Sequence, residues 1–451
     1  SSGHAWPRWR LWSSFQPGSN VQSNQMSPSA PVRLPVQGMT PLRRALAWMF
    51  TVALGLSPAL LMSSASGGSA GFYVLVGLSI VVVAIGPLDP ARPPLPLRGF
   101  RWAMYGMAVM LVAVLLSQAV HGVWKGSEVE KAARFAVLPL LLAAALRVPA
   151  PILRHALLGL LPGVWVAVAN IGWLSWLSGG RPQTWQFNAV TYGDLTLLSS
   201  AICLLLLGEP ITRFARTESA LKLLTGMAGL VGFLLTQTRG GLLAIPVFLL
   251  IAVFAVGRAR GRAALLAGLA MLAVVAAAAL HDGSLRERIG DGVSEFDQCR
   301  STHLADTSVC IRLQLWTAAG SMIRAQPAFG VGGNDRFREE LHAMAQRKQV
   351  SQLVARDYGE SHNDLLYFLA AYGALAGVGL LALYVAPGVV FARRMRQCWP
   401  RPSLLAGAGL VMCAGFVVFG FTEMMFRDMR VASFYATWMA AFLALARSEE
   451  H

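Results

Sequence analysis

The sequence predicts an all-α polytopic membrane protein with about twelve transmembrane helices and a large helical loop on one face. Three observations predict it. Only 13% of residues are charged and 55% are hydrophobic, whereas soluble domains carry about 25% charged residues. Apolar runs of about 17–25 residues, the length that crosses a bilayer, recur along most of the chain. Arginine-rich connections alternate with poorer ones, the pattern that sets topology. The formal net charge of +16 has two readings: topology alone, or an anionic ligand. No nucleic-acid partner is expected; the surrounding partner is membrane lipid.

The first stretch, SSGHAWPRWRLWSSFQPGSNVQSNQ, has no apolar periodicity and reads as an appended or unstructured leader. Residues 1–40 are set apart as leader and cytoplasmic N-terminus, with a native start expected at Met26 or Met39 and no cleavable signal. Spans are then expected near 43–62, 70–88, 101–120, 134–149, 154–177, 189–208, 221–238, 241–257, 263–280, 363–390, 403–421 and 431–447. Pro151, Pro162 and Pro246 start or kink theirs. Residues 41–280 thus hold nine spans, 281–362 a loop domain, and 363–451 three more spans and the C-terminus. No internal repeat of fixed period appears.

Orientation follows from the short connections. Arg43 and Arg44 precede the first span. Arg92, Arg98 and Arg101 follow the second, and Arg147 and Arg154 the fourth. Arg213, Arg216 and Lys222 form the next basic loop, and Arg258, Arg260 and Arg262 another. Arg393, Arg394, Arg396 and Arg401 follow the tenth span. These loops and both termini are therefore expected in the cytoplasm. Some cations break the rule by falling on the outer face: Lys125, Lys131 and Arg134, then Arg181, Arg239, Arg427 and Arg430. One reading pairs them with Glu128, Glu130, Glu423 and Asp428. The other is a pocket for a phosphate-bearing ligand, because guanidinium forks bind phosphate oxygens bidentately.

The outer segment contains Cys299 and Cys310, a candidate disulfide in an oxidising compartment. From Ile311 onward, Leu315, Trp316, Ala319, Met322 and Ile323 recur at helical spacing, with Arg312 near the start. Pro327 and the Gly330, Gly332, Gly333 cluster end that helix in a turn whose N–H groups could face an anion. The stretch GESHNDLLYFLAAYG opens the tenth span, which must run inward because ARRMR follows it. His362 then lies on the outer face. Ser361 and Asp364 read as a capping box, making His362 the first helical residue. The helix N-terminus and nearby arginines would keep its imidazole neutral, able to accept a proton. The plainer reading is a histidine of the cap region at the lipid headgroups.

TQTRGGLLA, the Arg312-x-x-x-Trp316 helix with its Pro327 and glycine turn, and SHNDLLYFLAAYG occur in this order along the chain. Together they resemble the O-antigen ligase and polymerase superfamily, although Thr238 stands where serine is common in its motif. The resemblance implies a fold like the GT-C glycosyltransferases. It implies transfer of a polysaccharide from undecaprenyl pyrophosphate to a lipid A-core sugar, on the periplasmic face of the bacterial inner membrane, with inversion. It puts functional roles on Arg239, Arg312 and His362. His362 is expected to deprotonate or orient the acceptor hydroxyl. Arg239 and Arg312 are expected to hold the pyrophosphate, helped by Lys131 and Arg134 and, less directly, Arg181 and Arg427. No metal or other cofactor is expected, since no outer Asp-x-Asp and no zinc-spaced His/Cys cluster is present. An O-antigen polymerase, a protein O-oligosaccharyltransferase and, from another class, a polysaccharide-lipid transporter with a basic vestibule remain alternatives.

Overall fold

The structure is a computed structural model that describes residues 39–89, 97–182, 184, 188–257, 266, 294–299, 304–399, 401 and 403–448. Its described residues form helices and no strands. Nine of these helices are long and apolar enough to cross a membrane, and the chain is a polytopic membrane protein. They are α1 (Pro41–Ser63), α2 (Gly67–Ile85), α3 (Arg101–His121), α6 (Ala150–Ser178), α7 (Ala189–Gly208), α8 (Ala215–Leu235), α14 (Ala374–Cys398), α15 (Leu404–Thr422) and α16 (Met429–Arg447). Between them lie α4 (Gly126–Ala136), α5 (Leu138–Ala145), α9 (Gly240–Ala255), α10 (Ser308–Ala325), α11 (Asn334–Gln346), α12 (Gln352–Asp357) and α13 (Asp364–Tyr372).

Three expected spans differ. The run 134–149 is two helices that meet at Val137, because Pro139 in the first turn of α5 has no N–H to continue the ladder from α4. The run 241–257 begins as a 3-10 turn and is one of the shorter apolar helices. The run 363–390 breaks between α13 and α14 at Gly373, whose φ of +84° is a conformation L side chains avoid. The expected span at 263–280, apart from Leu266, lies outside the described residues, as do Arg92, Arg258, Arg260, Arg262 and the side chain of Arg98.

A break inside a membrane protein leaves backbone groups that need partners. The turn after α10 supplies them here. Val331 N donates to Ala370 O at 2.8 Å, Gly332 N and Gly333 N to Ala371 O at 3.0 Å, and Ala374 N to Pro327 O at 2.8 Å. Ser117 of α3 adds a bond to Phe329 O at 2.6 Å. The glycine turn is therefore a clasp for the broken helix. The N–H groups expected to be open to an anion, at Gly332 and Gly333, are already used.

The bundle is organised around α15 and α16, the latter almost wholly buried. α15 packs on α7, α9 and α14, while α16 packs on α2, α4 and α5. The connection between them, residues 423–428, is pinned by one aromatic ring. Phe426 lies 4.9 Å from Phe135, 5.3 Å from Phe416 and Tyr435, and 5.7 Å from Tyr384, centroid to centroid. Each such pair adds about 0.5–1.5 kcal/mol beyond area burial. That anchor fixes the acids and arginines on either side of it.

Candidate functional site

The site begins with the backbone of residues 360–364. Asn363 is the N-cap of α13, accepting from Leu366 N at 3.0 Å, and the helix starts at Asp364. Ser361 does not cap it; its hydroxyl donates to Asn363 O at 2.7 Å. This corrects the capping box centred on Ser361. His362 precedes the helix and has a φ of +48°, the left-handed region that a Cβ disfavours. Strain of this kind persists only where surrounding contacts over-determine it.

The main contact is to a distant carboxylate. His362 Nδ1 lies 3.0 Å from Glu423 Oε1, with the side chains 16% and 2% exposed. Met424 N donates to the same Glu423 oxygen at 3.1 Å. With Nδ1–H given to Glu423, Nε2 is left as the acceptor nitrogen, and it has no hydrogen-bond partner among the described residues. The Tyr358 ring packs edge-on at 5.3 Å.

Burial pushes the imidazole pKa down, but the bond and charge of Glu423, with the charge of Glu360, outweigh it and leave it raised. Burial pushes Glu423 up, and His362 more than reverses this, leaving Glu423 lowered. The expectation of an imidazole held neutral by a helix terminus is thus corrected: two carboxylates dominate its surroundings.

Glu360 is the second of these, almost fully buried, with Arg427 Nη1 at 2.5 Å from its Oε1. Burial raises Glu360 more than Arg427 lowers it. Ligand atoms of Glu360, His362 and Glu423 lie within 4.8 Å of one another, so the three could hold a metal ion. Glu360 and Glu423 are far apart in sequence, and the fold gathers them. Both are already answered in charge, Glu360 by Arg427 and Glu423 by His362.

Arg312 and Arg239 arrive from two further elements. Arg312 sits near the start of α10, half-buried, with Nη1 3.5 Å from Ser308 Oγ, and its charge acts on His362, Glu423 and Tyr358. Arg239 is exposed in the turn that follows α8. The two glycines after it let that turn sit close on its neighbours. A side chain on Gly240 would strike Thr422, next to Glu423, and one on Gly241 would strike Asp194 and Phe233. Gln237, two residues earlier, has a φ of +54°. Asp194 of α7 is fully buried beneath this turn with no hydrogen-bond partner on either oxygen among the described residues, and nothing in the sequence singles it out.

The other expected cations divide. Lys131 is half-buried and lines a cavity with Arg427. Arg134 is a buried strut, bonded to Ser69 Oγ, Met429 O, Ser433 Oγ and Glu130, the last at 2.6 Å. It leaves no fork open for a phosphate. Arg181 lies in an exposed turn after α6, where its carbonyl accepts from Ser178 Oγ at 3.3 Å. Arg430 pairs with Asp428, as the plainer charge-pairing reading had it. Cys299 and Cys310 are joined by a disulfide, with Cα atoms 5.3 Å apart. The bond adjoins the start of α10, where Thr307 is the N-cap and Glu295 accepts from Val309 N at 3.2 Å.

Glu423 and Glu360 are the residues sequence reasoning underrated. In the sequence Glu423 reads only as a partner for the outer arginines, and Glu360 carries no role. The glutamate before the SHND motif was the one local signal for Glu360.

No curated protein matches the chain. Residues 224–381 match the family model described as O-antigen ligase. That stretch contains Arg239, Arg312, Glu360 and His362, three of which the fold gathers beside Glu423 or within reach of its charge. Over that stretch the chain is similar to the O-antigen ligase family.

Proposed function

We propose that the protein is an O-antigen ligase. Its donor would be a polysaccharide on undecaprenyl pyrophosphate, its acceptor a sugar hydroxyl of lipid A-core, and its site the periplasmic face of the inner membrane. The family match supports the reaction class, and the resemblance supplies donor, acceptor and inversion. The observation that carries the mechanism is the 3.0 Å bond between His362 Nδ1 and Glu423. It fixes the tautomer in which Nε2 is a base and stabilises the imidazolium that forms.

The step is one displacement. His362 Nε2 takes the acceptor hydroxyl proton as its oxygen bonds to the anomeric carbon. The bond from that carbon to the pyrophosphate oxygen breaks, and its electron pair leaves with the pyrophosphate. Arg239 and Arg312 bind that leaving group as its charge grows. A single displacement inverts the anomeric centre, and it needs no metal while arginines supply the positive charge. Ligation by the purified protein, with lipid-linked donor and lipid A-core, tests this. Product on lipid A-core supports a ligase, whereas growth of the lipid-linked glycan alone would make the chain a polymerase.

A further inference from the structure

The two ends of α10 are held by different means. Its C-terminal turn is the clasp on α13 and α14, made by Pro327, Val331, Gly332 and Gly333. Its N-terminal turns, which carry Arg312, are fastened to residues 294–299 and 304–307. Thr307 caps the helix, Glu295 Oε2 accepts from Val309 N at 3.2 Å, and Gln314 Nε2 donates to Ala305 O at 3.0 Å. Gln314 Oε1 accepts from Ser351 N at 2.7 Å, at the start of α12. To these the disulfide between Cys299 and Cys310 adds a covalent tie, buried and two residues before Arg312.

Arg312 depends on that backbone more than other arginines of the outer face depend on theirs. Arg134, Arg427 and Arg430 are each held by a carboxylate: Glu130, Glu360 and Asp428. Arg312 has no ion pair among the described residues. Its Nη1 reaches Ser308 Oγ at 3.5 Å, a long contact, and its buried Nε has no partner. Ser308 belongs to the same first turn, so this contact moves with the helix. The guanidinium is therefore aimed by where the start of α10 lies. Helix ends held by single hydrogen bonds fray and open locally, whereas a covalent link does not. Placement matters here, because a group misplaced by about 1 Å can lose about 100-fold in rate.

We infer that the Cys299–Cys310 bond is a positioning element of the site: it holds the start of α10 so that Arg312 meets the leaving group, and transfer depends on its oxidation state. The inference rests on the ligase reading for the role of Arg312. A dithiol reductant opens the bond. Two electrons and two protons pass to the sulfurs, the S–S bond breaks to give two thiols, and the dithiol closes into its own disulfide. The opened turn keeps the bonds from Thr307 and Glu295 but loses the link that fixes Cys310 to residues 294–299. Arg312, with no carboxylate to hold it, moves with that turn.

Two opened forms of the full-length protein in detergent are compared with the oxidised wild type. One is wild type treated with dithiothreitol. The other is Cys299→Ser/Cys310→Ser, in which no reductant has to reach a buried bond. Alkylation and mass spectrometry confirm opening; Cys203, Cys398 and Cys413 are free thiols in both states, so only Cys299 and Cys310 change. In both forms kcat for ligation should fall about 10- to 100-fold, and reoxidation should restore the wild type. On an Arg312→Lys background the same opening should cost little, because both changes act on one group. Arg312 should also react faster with phenylglyoxal once the bond is open, while the exposed Arg239 on another element keeps its rate. A bond that only stabilises the fold would lower the thermal transition, leave Arg312 labelling as it was and add its full loss to that of Arg312→Lys. That result overturns the inference, as does an unchanged rate with the bond open. Should the serine pair not fold, the reduced wild type decides. Faster labelling of Arg312 in a protein that ligates nothing even when oxidised would overturn the ligase reading and leave the positioning role standing.

Discussion

His362 and Glu423 are 61 residues apart in sequence and 3.0 Å apart between Nδ1 and Oε1. One precedes α13 and the other caps the end of α15. Asn363 Nδ2 bonds Phe421 O at 3.1 Å and Phe426 N bonds Asp364 Oδ1 at 3.3 Å, tying the same two segments on both sides of the pair. The geometry of the base is therefore set by packing between two helices, and it survives changes confined to the imidazole.

His362→Ala should fold and bind donor much as the wild type does, because the bonds from Asn363 and Asp364 remain. Transfer should fall by about 10²–10⁴, the range for a lost general base. Near-normal ligation in membranes would remove His362 from that role.

The acid limb of the pH profile reports the same pair. The imidazole pKa is raised, so more of it is protonated near neutrality and the base form grows as pH rises through that value. Ligation should therefore increase with pH across this range. Glu423→Gln removes the charge that raises the imidazole, and the acid limb should move to lower pH while the maximal rate drops. A limb that stays in place, or moves upward, would mean that Glu423 does not tune the titrating group.

Arg239 and Arg312 are assigned to the leaving pyrophosphate, where a planar fork binds two oxygens and an ammonium binds as a point charge. Arg239→Lys and Arg312→Lys should each lower ligation at least about tenfold. Wild-type rates in both would rule out bidentate phosphate contact.

Arg134 should behave differently. Its side chain is 3% exposed, and its guanidinium holds α2, α4 and α16 together through Ser69, Glu130 and Ser433. Arg134→Ala should destabilise the protein by about 3 kcal/mol, as removal of one partner from a buried network does. The thermal transition in detergent would show it. An unshifted transition with lost donor binding would return Arg134 to the ligand site.

The alternation of basic connections and apolar runs made most spans legible, because hydrophobic length and arginine placement are local properties. The breaks were less so. Pro139 and Gly373 each sit inside long apolar runs, and whether such a residue kinks or ends a helix depends on who satisfies the freed backbone; at Gly373 that is Pro327 and the turn after it. Ser361 and Asn363 are both good N-cap types, and only the backbone at His362 decides between them. Lys131 and Arg134 look equivalent in sequence, three apart on one short helix. Packing against Ser69 and Ser433 makes Arg134 a strut and leaves Lys131 in the cavity. Glu423 was visible as an acid but not as the partner of His362, since nothing local encodes a contact across 61 residues.

The most direct measurement is ligation by purified protein in excess EDTA. Glu360, His362 and Glu423 offer the geometry of a metal site and also of a histidine base held by one acid, with the other tied to Arg427. These cannot both hold, because a metal on Nδ1 would displace the bond to Glu423 and remove the tautomer on which proton transfer depends. The account predicts an unchanged rate in EDTA, with no gain on adding Mg²⁺ or Mn²⁺. Activity abolished by EDTA and restored by either ion would contradict it, and would make His362 a ligand in place of a base.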